Sequence, residues 1–117
     1  MKVMVMDEAR KRGNHLADLL AKSRHSVICC HGSNDFLKSL MENKIDKLLL
    51  DFTTWHNGRM IYSYFGINGR LDSIPIVFYN TPEDFPGIQG RPKHNNDKVV
   101  TRPATIDAII SSATAGN

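Results

Sequence analysis

Val3-Met4-Val5-Met6-Asp7-Glu8 reads as a buried strand that ends on two acids, and Leu48-Leu49-Leu50-Asp51 repeats the pattern further along the chain. An apolar strand ending in a carboxylate presents that group at the sheet edge. In an open α/β sheet, ligands bind outside the carboxyl ends of the strands. Carboxylates from two such strands can meet there and form a hard, oxygen-rich cation site. An acidic pocket built from Asp7, Glu8 and Asp51 is therefore the first functional expectation.

Working outward, five short apolar runs recur: Val3 to Met6, Val27 to Cys30, Lys47 to Leu50, Ile74 to Tyr79, and Lys98 to Thr101. Near-continuous apolarity over so few residues suits parallel strands covered on both faces. The intervening segments carry helical spacing. Leu16, Leu19 and Leu20 form one stripe. Phe36, Leu37, Leu40 and Met41 form a second, with Ser33 or Asn34 as its N-cap. Met60, Ile61, Tyr64 and Phe65 form a third, closed by Gly66 and Gly69. Ile106, Ile109 and Ile110 form a last one, capped by Thr105. Strand and helix in alternation imply right-handed crossovers, so the fold class is α/β, a flavodoxin-like doubly wound five-stranded parallel sheet. Residues 82–97, with three prolines, two glycines and Asn95-Asn96, predict a loop or a single turn where a fourth helix would sit.

The 117 residues suit one domain, 1–117. No run approaches the roughly 20 apolar residues of a spanning helix, and the amino terminus enters a strand directly, so no membrane insertion and a cytoplasmic location are expected. The net charge of +3 is spread along the chain, which argues against a nucleic-acid footprint. Cys29 and Cys30 are neighbours on a strand and point to opposite faces; both read as reduced core thiols. His15, His25, His31, His56 and His94 show no metal-ligand spacing and read as surface or helix-end residues. Trp55 and His56, in the stretch Phe52 to Gly58 after Asp51, read as exposed loop residues.

The order of elements and the spacing of Asp7-Glu8, Asp51 and Arg102-Pro103 resemble the receiver domain of bacterial two-component response regulators, over essentially the whole chain. The resemblance implies strand order 2-1-3-4-5. It implies a magnesium ion held by Asp7, Glu8, Asp51 and Thr53, the last through a backbone carbonyl, and Asp51 as phosphoacceptor. Asn80, or Thr81 after it, matches the hydroxyl position, and Arg102-Pro103 matches the lysine-proline pair. Magnesium shared by acceptor and donor oxygens would offset the repulsion between a carboxylate and a phosphoryl donor. A histidine kinase or phosphotransfer protein and a downstream protein target are the implied partners, with homodimerisation open. The chain would not be an enzyme beyond self-phosphorylation from a phosphodonor.

The departures are specific. Arg102 is larger and bidentate where lysine is usual, Asn80 stands where a hydroxyl is usual, and the loop after Asp51 lacks its usual proline. These make an atypical receiver, or a phosphorylation-independent pseudo-receiver that works by docking. Two bland alternatives stand beside that reading: Asp51 caps a helix, or Arg102 pairs with Asp51. More distant are a flavodoxin-like cofactor binder, disfavoured by the first loop, and a nucleic-acid binder using the basic residues 91–98.

Overall fold

The computed structural model describes residues 1–58, 73–85 and 97–114. Their elements are β1 (Lys2–Met6), α1 (Arg10–Lys22), β2 (Ser26–Cys30), α2 (Ser33–Glu42), β3 (Lys47–Asp51), a helical segment α3 at residues 52–58, β4 (Ile76–Thr81), β5 (Lys98–Thr101) and α4 (Ile106–Thr114). All five strands pair in parallel in one sheet ordered β2-β1-β3-β4-β5. The expected fold class and strand order are those observed. Among the described residues, no helix is long and apolar enough to cross a membrane.

Strand alternation divides the core in two. Met4, Met6, Leu48, Leu50, Ile76 and Phe78 face α2 through Phe36 and Leu40. Val3, Val5, Leu49, Val77 and Tyr79 face α1 and α4 through Leu16, Leu20, Ile109 and Ala113. Every position of β3 is buried, which is why it reads as an unbroken apolar run. Its first residue, Lys47, is also buried and donates from Nζ to the Ala113 carbonyl at 2.6 Å. A cation at the C-terminal turn of α4 meets carbonyls that have no partner within the helix.

Several boundaries differ from the sequence reading. β4 starts after Pro75 and runs on to Thr81, because Ile76 N–H is bonded by the Asp97 carboxylate and the strand continues through a bulge. The bulge puts Asn80 at φ 62°, a left-handed conformation that asparagine tolerates better than most residues. α2 is capped by Gly32, not by Ser33 or Asn34, with no side-chain cap bond. Residues 52–58, read as a loop, are helical. Thr105 caps α4 as expected, accepting from Ala108 N–H at 3.1 Å. The Met60 to Phe65 stripe, and residues 86–96 of the expected loop, lie outside the described residues.

Candidate functional site

The register carries β1 and β3 side by side to their carboxyl ends, with Met6 opposite Leu50. Asp7 and Asp51 follow, each on the α1-facing parity of its strand, and Asp51 is paired in register with Tyr79 of β4. Both aspartates are completely buried. Two buried carboxylates so placed require a cation or a proton.

The cation is Arg12, from the first turn of α1. Its Nε donates to Asp7 Oδ2 at 2.6 Å, and Nη2 donates to Asp7 Oδ1 at 2.9 Å. The same Nη2 stands 3.0 Å from Asp51 Oδ1. That second contact is an ion pair without hydrogen-bond alignment, so Asp51 Oδ1 is buried with charge beside it and no hydrogen bond. The planar fork suits a two-oxygen grip on Asp7. Hydrogen bonding to Asp7 raises the guanidinium pKa, keeping Arg12 charged.

Three further groups complete the arrangement. Tyr79 donates its hydroxyl to Asp7 Oδ2 at 2.7 Å; burial, then the neighbouring Asp7 charge, drive its pKa up, so the donor keeps its proton. The Arg12 guanidinium also lies 5.7 Å from the Tyr79 ring centroid, within cation–π reach. Thr54 donates to Asp51 Oδ2 from both its backbone N–H at 3.0 Å and its hydroxyl at 2.8 Å. Asp51 is thus the N-cap of α3, and this bond starts the helix where a loop was expected. Burial raises the Asp51 pKa; the Thr54 bonds and the Arg12 charge offset that only in part.

The residues expected to hold a metal are placed as follows. Glu8 is exposed and its carboxylate accepts from Asn57 Nδ2 at 3.2 Å, while its backbone N–H goes to Thr54 Oγ1 at 2.9 Å. Among the described residues, no group of three His, Cys, Asp or Glu side chains is disposed to hold a metal ion. Asp7 and Asp51 are brought together, but a guanidinium stands between them. Thr53 is exposed on α3. A magnesium ion held by Asp7, Glu8, Asp51 and Thr53 does not fit this donor set.

Thr81 is buried, and its hydroxyl has no hydrogen-bond partner among the described residues. Asn80, half-buried, serves the bulge. Arg102 is exposed, and its backbone N–H donates to the Thr81 carbonyl at 2.9 Å. The arginine that pairs with Asp51 is Arg12, not Arg102. Trp55 is half-buried against Phe52 and Phe85 rather than exposed, whereas His56 is exposed.

No protein-family model matches the sequence, and no curated protein matches it. Solved structures do. Many are CheY-like response regulator receiver domains that cover most of the chain. A CheY-like receiver domain protein from Methanospirillum hungatei JF-1 is 19% identical, with 96% of this chain and 90% of that chain covered and a TM-score of 0.68. A Burkholderia pseudomallei response regulator, solved with a phosphorylated aspartic acid, a calcium ion and citrate, is 15% identical over 97% of this chain and 66% of that one, with a TM-score of 0.72. The chemotaxis response regulator CheY4 of Vibrio cholerae is 15% identical, at 95% and 93% coverage and a TM-score of 0.69. The chain has the CheY-like, flavodoxin-like fold of these domains.

Proposed function

We propose that this chain is a receiver-like signalling domain of the phosphorylation-independent kind, a pseudo-receiver that acts by protein contact and not as an enzyme. The single observation behind this reading is Arg12, whose guanidinium lies between two fully buried aspartates. In this arrangement Asp51 cannot reach a phosphoryl donor. Its Oδ2 is bonded twice to Thr54, and its Oδ1 faces the cation. The positive charge that a metal would supply is part of the protein, so the pocket is held in one state. Asp51 is then a structural cap and ion-pair partner, and Asn80, Thr81 and Arg102 have no phosphoryl group to handle. The signal leaves through a surface, and the β5–α4 edge is the best candidate, with Val99 exposed.

The test is incubation with acetyl phosphate and magnesium, read by intact mass. No mass gain is expected. Addition of one phosphoryl group, abolished by Asp51→Asn, would overturn the reading and restore Asp51 as phosphoacceptor.

A further inference from the structure

At the other edge of the sheet, Cys29, His31 and Asn14 converge on one point. Cys29 Sγ lies 3.7 Å from His31 Nε2 and 3.6 Å from Asn14 Oδ1, and His31 Nε2 lies 3.2 Å from Asn14 Oδ1. Cys29, expected in the core, and His31, expected at the surface, are both half-buried, and Asn14 is exposed.

The protonation pattern is decided by the far side of the imidazole. His31 Nδ1 is 2.9 Å from the Asp7 carbonyl oxygen, which can only accept, so Nδ1 carries the proton. In the neutral ring Nε2 therefore presents a lone pair. Asn14 Oδ1 presents lone pairs too. In that tautomer the thiol proton, which Cys29 donates to Asn14 Oδ1, is the only hydrogen among the three atoms. A histidine whose second nitrogen donates to a backbone carbonyl is oriented as metal-ligating histidines are.

The triangle has the right size for a metal. A tetrahedral zinc ion with bonds of about 2.3 Å to sulfur and roughly 2.1 Å to nitrogen and oxygen needs donor–donor edges of about 3.4–3.6 Å. The three edges in this chain are 3.7, 3.6 and 3.2 Å. Gly13 permits the closeness: a Cβ there would lie 3.3 Å from His31 Cε1 and 3.4 Å from Cys29 Sγ. The set is two strong ligands and an amide, so it is not one of the three-membered His, Cys, Asp or Glu groups, of which the described residues have none.

We propose that Cys29 Sγ, His31 Nε2 and Asn14 Oδ1 form a three-ligand site for a thiophilic divalent ion, zinc or its cobalt surrogate, with solvent as the fourth ligand. Binding forms the metal–sulfur bond and releases the thiol proton to the buffer, with no change of oxidation state. Burial, the largest cause, pushes the Cys29 thiol up to about 11, so the metal-free group is a protonated thiol and not a nucleophile. This site is independent of the pseudo-receiver reading, since it uses neither Asp51 nor Arg12.

The test is anaerobic titration of the reduced 117-residue chain with Co2+, watching the near-ultraviolet thiolate-to-cobalt charge-transfer band, followed by displacement with Zn2+. A band saturating at one ion per chain, and erased by zinc, is expected. Cys29→Ser removes the band. Asn14→Asp, which replaces the weak amide ligand by a carboxylate, tightens zinc binding by about tenfold. Absence of the band in the wild-type chain, its persistence in Cys29→Ser, or unchanged affinity in Asn14→Asp would each overturn the proposal.

Discussion

At the residue scale, the two aspartates are held by a cation that comes from the protein itself. Removing one member of a buried charge cluster leaves the others uncompensated. Arg12→Leu is therefore expected to cost about 3 kcal/mol, the low end of the usual range because the guanidinium is partly exposed; urea denaturation measures it. Asp51 gives a pH signature. Its native pKa lies above the ordinary 3.8 because of burial, so the native state holds a proton that the unfolded chain has already released. The group's contribution to stability is full below the unfolded pKa and is lost as pH rises through the native one. Asp51→Asn should accordingly gain stability relative to the wild type as pH rises above the ordinary carboxylate range and through the raised native pKa. A difference that stays flat or falls with pH would contradict this. The convergence of Asp7 and Asp51 was legible in the sequence, because both follow apolar strand runs. Arg12 was missed because Arg10-Lys11-Arg12 reads as a solvated basic start. Its spacing held the signal: Arg12, Leu16 and Leu20 recur every four residues, on the stripe that α1 buries. Likewise, Tyr79 shares the parity of Val77 and so faces Asp7.

At the scale of elements, the bond between Thr54 and Asp51 fixes where α3 begins and ties that helix to the end of β1 through Glu8 N–H. Thr54→Val keeps the shape but leaves the Glu8 N–H and one Asp51 bond unmade. A loss of about 1–3 kcal/mol is expected from the unsatisfied groups, read by thermal or urea unfolding, and a neutral result would show that the cap does not hold α3. Residues 52–58 looked like a loop because Thr53, Thr54, His56 and Asn57 are weak helix formers. Tertiary packing overrides that: Trp55 sits against Phe85, and Asp51 caps the first turn. The bland alternative at Asp51, a helix cap, is thus what the geometry contains. The end of α1 shows a similar override, with Arg24 at φ 68° in a position that glycine usually takes. His25 N–H bonds the Leu20 carbonyl and Arg24 N–H the Ala21 carbonyl.

At the scale of the molecule, strand count, parallel pairing and order were readable, because short apolar runs alternating with helical spacing leave few topologies. What stands between the two strand-end carboxylates was not readable. Sequence places carboxylates at strand ends, but whether a metal or a side chain stands between them depends on what the first helix lays over the sheet. Here α1 delivers a guanidinium, and the clasp joins β1, β3, β4 and α1 at the carboxyl rim of the sheet. Magnesium titration of the 15N-labelled chain, following the amides of Asp7 and Asp51, tests the clasp most directly. With Arg12 in place those amides should not move at millimolar Mg2+, whereas in Arg12→Ala they should shift and saturate. Saturable shifts in the wild-type chain, lost in Asp51→Asn, would contradict the clasp and return the pocket to a metal ion.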